Sequence, residues 1–147
     1  MKRIRRILHP SDFSSASRAA FMRSVEMAKA NRAELVVAHA LAPIVLPGDG
    51  YISPQIYDEI DTSARVAARK QLAALVARAK KAGVRAKALL LDGAAHERIV
   101  SAAKAGRADL VVMGTHGRTG FARLFLGSVA ERVVGLSPCP VMTVRGK

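Results

Sequence analysis

The sequence predicts an α/β protein: a single doubly wound domain with a five-stranded parallel sheet, strand order 3-2-1-4-5, and helices on both faces. Short β-rich runs alternate along the chain with longer helical patterns, as parallel strands joined by helices require. The run 108–113 is almost wholly apolar, which is typical of a strand covered on both faces. The chain has 147 residues, of which 50% are hydrophobic, and this fits one domain with a full core.

The first elements are predicted from turn residues and periodicity. A strand over 3–8 is stopped by Pro10, and Asp12 or Ser14 can cap the helix that follows. That helix runs to about Asn31, and a second strand covers 34–41. The next segment, 43–54, is rich in proline and glycine and is interpreted as a lid, a partner surface or a plain connector.

The second half of the chain continues the alternation. A long helix is predicted over 55–82, and its apolar face recurs every four residues at Ile56, Ile60, Ala64, Ala68, Leu72 and Val76. A strand over 85–91, a helix over 94–105 and the strand over 108–113 follow. A short helix over 128–134, ended by Gly135 and Pro138, precedes a last strand over 140–144.

Composition narrows the class of partner. The net charge of +13 attracts anions, which include nucleotides, nucleic acid, acidic proteins and anionic membranes, and charge alone does not choose among them. The single cysteine, Cys139, excludes an internal disulfide and a cysteine-based zinc cluster. The basic start of the chain lacks an apolar signal-peptide core, and no run is long enough to span a membrane, so we expect a cytoplasmic protein.

A glycine-rich segment after the fourth strand carries the chemistry. In a sheet of this order the switch point lies between strands 1 and 4, where open α/β sheets bind ligands, next to residues 10–12 and the loop that opens at Gly114. The spacing is Gly114-x2-Gly117-x9-Gly127-Ser128. Glycines permit positive φ and close approach of amides to an anion, and the helix that begins at Ser128 favours negative charge. The alternative is that the glycines are turn residues and Ser128, with Glu131 at capping-box spacing, caps its own helix.

Four segments resemble the universal stress protein family in the expected order. They are the first strand and turn at 7–14, the fourth strand and loop at 109–120, the helix at 126–134 and the last strand at 139–141. The spacing of glycines and serine is similar to that family's nucleotide-binding motif. The segment matches neither a Walker A loop nor the dinucleotide fingerprint.

This resemblance implies an adenine nucleotide alpha hydrolase-like fold that binds ATP at the switch point, and Mg²⁺ is expected to accompany the ATP. It also implies a homodimer formed through the C-terminal strand, and Arg118 and Arg123 as assisting cations. The residues implied to bind the nucleotide are Pro10, Ser11, Asp12, Ala40, Met113, Gly114, His116, Gly117, Gly127, Ser128 and Val129.

The function expected is therefore nucleotide binding with a regulatory or stress-response role. No pair of nucleophile and base is evident, so efficient catalysis is not expected, whereas slow ATP hydrolysis stays open. Two alternatives remain: a dimeric interaction module that binds no nucleotide and, less favoured because only 4% of residues are aromatic, a nucleic-acid-binding protein. A metal site at His9, His39 and Asp12 is disfavoured because no ligand spacing supports it.

Overall fold

The computed structural model describes residues 2–44, 48, 50–115 and 126–146. Strands and helices alternate along the described chain. They are β1 (Arg6–Pro10), α1 (Ser15–Asn31), β2 (Glu34–Leu41), α2 (Pro54–Lys81), β3 (Ala86–Asp92), α3 (Ala95–Ala105), β4 (Leu110–Gly114), α4 (Ser128–Leu136) and β5 (Val141–Val144).

The five strands form one parallel sheet in the order β3-β2-β1-β4-β5, which confirms the predicted fold class. Pro10 ends the first strand, as predicted, but the strand runs from Arg6 to Pro10 and not over 3–8, because Pro10 itself still pairs with Ala38. The pairing with β2 extends one residue beyond β1, since the N–H of Ser11 donates to the carbonyl oxygen of Ala38 at 2.8 Å. The carboxyl end of β1 therefore reaches the residues expected in the site.

Two apolar cores lie on opposite faces of the sheet. Alternation along β1 sends Ile7 into the core under α1 and α2, and Leu8 into the core under α3 and α4. Phe21 of α1 and Leu72 of α2 are almost fully buried in the first core. Burying each of these side chains contributes roughly 2 kcal/mol. Helices on both faces agree with the prediction.

The start of α2 departs from its predicted buried face. Ala68 and Leu72 are buried, but Ile56 and Ile60 remain 47% and 43% exposed. The helix has 28 residues, or about 42 Å, whereas the 7 residues of β3 span only about 23 Å, so its first turns project beyond the sheet. Across the described ranges, no helix combines the length and apolarity that a membrane crossing needs.

Serine side chains begin two of the helices. Ser14 caps α1 by accepting from the N–H of Ser17, and Ser53 caps α2 in the same way. The helix α4 differs, because its N-cap is Gly127 and no side chain among the described residues caps it. Gly135 was predicted to end this helix, which is wrong: α4 continues through it to Leu136, since a single glycine costs a helix only about 1 kcal/mol.

Positive charge collects at the edge of the sheet where the strands start and α1, α2 and α3 end. We call this the basic edge; its cations are Lys2, Arg3, Arg5, Arg6, Lys29, Arg32, Lys80, Lys81, Arg85, Lys87, Lys104 and Arg107. Glu34 pairs there with Lys87 at 3.3 Å. The carboxylate of Asp109 accepts the backbone N–H of Arg5 at 2.9 Å and of Arg6 at 3.0 Å, and these bonds hold its pKa below the usual range.

Candidate functional site

A cleft of about 330 Å³ opens at the carboxyl ends of β1, β2 and β4. It lies at the switch point, because β1 and β4 are neighbours whose outgoing chains pack on opposite faces of the sheet. Most of the residues predicted from the sequence to form the site line it: Pro10, Ser11, Asp12, Ala40, Met113, Gly114, Ser128 and Val129. Segments distant in sequence thus converge on one concave surface.

Of the other predicted positions, Gly127 is the one within the described residues, and it does not line the cleft. Gly127 is the N-cap of α4, directly before Ser128, and its N–H donates to the carbonyl oxygen of Thr115 at 2.6 Å. That bond joins the end of β4 to the start of α4. His116 and Gly117 lie outside the described residues, as do Arg118 and Arg123.

The turn between β1 and α1 is fixed by short-range hydrogen bonds. The Ser11 hydroxyl accepts from the N–H of Phe13 at 3.1 Å and lies 3.2 Å from the hydroxyl of Ser17. Asp12 accepts from the N–H of Ser14 at 2.9 Å through its carboxylate. Phe13 has a φ of 63°, a left-handed conformation that costs a side chain of this kind about 1–3 kcal/mol. The neighbouring contacts hold the turn in this shape.

His39 supplies one of those contacts. Its Nδ1 lies 2.7 Å from the carbonyl oxygen of Ser11, and its ring stacks on Phe13 with centroids 4.2 Å apart. Because a carbonyl oxygen only accepts, Nδ1 must carry the proton. His39 also lines the cleft. From the sequence it was a candidate only for a metal site, which was disfavoured. Its place next to Ala40, at the end of the second strand, was the signal for a site role.

The cleft has other lining residues that the sequence did not reveal. They are Ser17, Ala95, Ile99, Thr115 and Ala130. Ile99 and Ala95 belong to α3. The amphipathic pattern of this helix shows which face is buried, but it does not show which residues of that face line a cleft. The alanines and Ile99 give the cleft apolar surface, and the serines and Asp12 give it polar groups.

His9 lies below the cleft and is fully buried on β1. Its Nδ1–H donates to the carbonyl oxygen of Val112 at 2.8 Å, and its ring packs against Phe21. Burial lowers the pKa of His9 from 6.5 to about 4, against smaller opposing effects of the Val112 carbonyl and the charge of Asp12. The imidazole is therefore neutral at physiological pH. The ranges that the structure describes contain no cluster of three or more His, Cys, Asp or Glu side chains placed to hold a metal ion.

The start of α4 forms the polar end of the cleft. Its first backbone bond runs from the N–H of Glu131 to the carbonyl oxygen of Gly127 at 2.9 Å, so the preceding amides of the first turn have no partner within the helix. Those amides belong to Ser128, Val129 and Ala130, which all line the cleft. The positive end of the helix dipole lies at the same place. This arrangement can stabilise an anionic group.

Two sequence-based interpretations of this segment are wrong. Ser128 does not cap the helix, since it is the first helical residue and Gly127 occupies the cap. Gly127 does not need positive φ either, because its φ is −60° and its ψ is 157°, a conformation open to any residue. Gly114 is the last residue of β4. What glycine still offers at position 127 is the lack of a side chain, which lets another group approach the backbone closely.

A doubly wound sheet with a cleft at its switch point defines the class of open α/β proteins that receive ligands beyond the carboxyl ends of their strands. Within this class, the sequence profile of the universal stress protein family matches residues 3–145. The chain belongs to the universal stress protein family.

Individual relatives are similar over nearly their whole length. A universal stress protein of Thermus aquaticus is 40% identical over 131 residues, which cover 88% of this chain and 90% of that protein. Universal stress protein MJ0531 of Methanocaldococcus jannaschii is 35% identical over 144 residues, covering 96% and 82%. A universal stress protein solved in complex with cAMP superposes with a TM-score of 0.70 at 27% identity, covering 99% of this chain and 100% of that one.

Proposed function

We propose that this protein binds ATP in the switch-point cleft and acts as a regulatory or stress-response protein. The observation that carries the proposal is the start of α4, whose first amides have no partner within the helix and border the same cleft as the turn after β1. An adenine nucleotide has an apolar ring at one end and phosphates at the other, and the cleft offers both apolar side chains and a helix start that can bind an anion.

Each part of the nucleotide has a matching part of the cleft in this proposal. The adenosine lies against Pro10, Ser11, Asp12 and Ala40, with Met113 and Gly114 beside the ribose. The phosphates lie at Gly127, Ser128 and Val129, and His116 and Gly117 complete their surroundings. The glycine at the N-cap supports this assignment, because a polar side chain at that position would occupy the amides that the phosphates need.

The identity of the ligand class draws support from a relative. A universal stress protein of the same fold, 27% identical to this chain, has been solved in complex with cAMP, which is an adenine nucleotide. The choice of ATP over other adenine nucleotides is our own. It rests on the glycine spacing and on the number of amides at the helix start, which suit a longer run of phosphates.

Mg²⁺ is proposed to accompany ATP. This ion binds chiefly to phosphate oxygens and water and needs only one or two protein carboxylates. Asp12 supplies a carboxylate to the cleft lining, so the donor set fits a metal held mainly by its nucleotide. The ion would offset the negative charge of the phosphates, and Asp12 would orient it.

The proposed role is to hold the nucleotide rather than to turn it over quickly, because the sequence offers no recognised pair of nucleophile and base. We also propose a homodimer through β5. This strand is an edge of the sheet, and unpaired edges invite pairing with another chain. Val134 and Leu136 of the preceding helix are 46% and 61% exposed, and burial of such side chains would favour association.

The experiment is to purify the protein without added nucleotide, denature it and analyse the released small molecules by liquid chromatography. The stripped and refolded protein is then titrated with ATP, with and without Mg²⁺, in a calorimeter. We expect adenine nucleotide in the supernatant and saturable binding that Mg²⁺ strengthens. Absence of both would reject the proposal, and GTP serves as the control ligand for base selectivity.

A further inference from the structure

A second concave surface lies on the face of the sheet that carries α3, beside the edge strand β3. Its volume is about 920 Å³, and it shares no lining residue with the cleft. On the opposite face, α2 covers β3 and contributes to the first core. On this face α3 covers β3 only in part, and Val36, Leu89 and Leu91 form an apolar floor that remains partly exposed. We call this surface the β3 groove.

The rim of the β3 groove is strongly cationic. Arg6, Lys87 and Arg107 border it at the basic edge, and Arg98 borders it near the start of α3. The one acidic lining residue among those described, Glu34, pairs with Lys87 at 3.3 Å. The Lys87 side chain is nonetheless 64% exposed, so the rim keeps an excess of positive charge. This excess favours a ligand that carries negative charge.

The dimensions suit one helix. The groove runs beside α3 from Arg98 to Gly106, and the 11 residues of α3 span about 16 Å. A doubly wound sheet is ordinarily covered by helices on both faces, and the groove is where a further helix would pack against β2 and β3. Three to four helical turns, about 11–14 residues, would cover the apolar floor.

We propose that the β3 groove binds an acidic amphipathic helix of a partner protein. Such a helix places its apolar side on Val36, Leu89 and Leu91 and its carboxylates against Lys87 and Arg98. Charge complementarity selects this partner from the other polyanions. A nucleic acid backbone has no apolar face for the floor, and a membrane surface does not enter a concave groove between a helix and a strand.

The test uses the full chain and a fluorescein-labelled synthetic helix with leucines at i, i+3, i+4 and i+7 spacing and glutamates elsewhere. The control is a peptide of the same composition whose leucines are scattered around the helix. Fluorescence anisotropy is measured at about 0.15 M salt, where diffuse attraction between exposed charges is screened. We expect the amphipathic peptide to bind at least about tenfold more tightly than its scrambled control.

Two variants and a matched control locate the site. Arg98→Glu removes a cation from the rim, and glutamate is tolerated there because Arg98 lies near the start of α3. Leu89→Thr makes the floor polar, and threonine is a residue with high strand propensity. Each should weaken binding about fivefold or more, whereas Lys70→Glu on α2, with the same charge change as Arg98→Glu, should alter it less than about twofold. Circular dichroism melts check that each variant is folded.

Several results would overturn the proposal. They are equal binding of the two peptides, no saturation by the amphipathic peptide, and an effect of Lys70→Glu as large as that of Arg98→Glu. Tighter binding of a short DNA duplex or of phosphatidylglycerol vesicles than of the peptide, lost in Arg98→Glu, would assign the groove to that other class instead. None of these measurements needs nucleotide, so their results are independent of whether the protein binds ATP.

Discussion

The imidazole of His39 joins two segments of the cleft: its Nδ1 lies 2.7 Å from the carbonyl oxygen of Ser11, and its ring stacks on Phe13 at 4.2 Å. This contact fastens the turn after β1 to the end of β2. Both Ser11 and His39 line the cleft, so the position of the turn sets the width of the proposed adenosine site.

His39→Leu should weaken ATP binding about tenfold, because it removes a hydrogen bond worth about 1 kcal/mol and loosens a strained turn. His39→Asn keeps a donor near the position of Nδ1 and should recover part of the affinity. Calorimetric titration with ATP checks both variants. Unchanged affinity in folded His39→Leu protein would show that this contact does not position the nucleotide.

Gly127→Asp should remove ATP binding while leaving the fold as stable as before. Aspartate is a favourable N-cap, and φ of −60° accommodates it, so α4 gains the side-chain cap that it lacks. The same carboxylate occupies the amides and repels phosphate, and we expect a loss of at least about a hundredfold in affinity. Urea unfolding measures stability alongside the ATP titration.

The control for this variant is Gly135→Ala in the same helix. A Cβ at Gly135 meets no atom within 4 Å, so alanine fits there without displacing a neighbour. It should leave ATP affinity unchanged and raise stability by about 0.5–1 kcal/mol. Retained ATP binding in Gly127→Asp would mean that the phosphates lie elsewhere.

The stability of the protein should fall as pH drops from about 6.5 towards 4, because of His9. Its pKa is lowered to about 4 in the fold, so between these values the unfolded chain takes up a proton that the folded chain does not. The neutral imidazole contributes fully to the free energy of unfolding above pH 6.5, and this contribution is lost as the pH falls to about 4. Across that pH range the loss amounts to about 3 kcal/mol. Urea unfolding at a series of pH values measures it.

His9→Leu is the matching variant. It should be less stable at pH 8, since the carbonyl of Val112 loses its donor, but its stability should change less between pH 6.5 and 4. An unaltered slope in this variant would show that other groups cause the acid sensitivity.

Leu136→Lys should shift the protein from dimer towards monomer if β5 and the end of α4 form the proposed interface. Leu136 is 61% exposed, and a lysine at a helix end is tolerated by the isolated chain. The matched control is Val66→Lys on α2, where the side chain is 62% exposed and far along the chain from β5. Light scattering after size-exclusion chromatography gives the mass; a monomeric wild type, or equal effects of both variants, would contradict the interface.

Much of the architecture could be predicted because local patterns and global packing agree. The apolar run of β4 indicated a strand covered on both faces, and its neighbours in the sheet followed from the handedness of crossovers. The exposure of Ile56 could not be predicted, since periodicity does not show which turns of a helix extend beyond the end of the sheet. The end of β1 was misjudged because a proline can end a strand while still pairing within it.

The site was predictable as far as it lies on sequence motifs. Ser11, Asp12 and Ser128 were identified from their places after strands and before a helix, and the cleft brings them together. His39 and Ile99 were not. The place of His39 beside Ala40 was a signal that the prediction did not use, whereas only the packing of α3 brings Ile99 to the cleft. Capping by Ser128 stayed open as an alternative in the sequence, because a serine at the first helical position and a serine at the cap can share the spacing to Glu131.

The most direct measurement follows the backbone amides of Ser128, Val129 and Ala130 by nuclear magnetic resonance while ATP and Mg²⁺ are added to labelled protein. If these amides receive the phosphates, their resonances should shift saturably, with the same dissociation constant as calorimetry gives. Adenosine should leave them nearly unmoved while it shifts residues of the turn after β1. Amide resonances at the start of α4 that do not respond to saturating ATP would contradict the account.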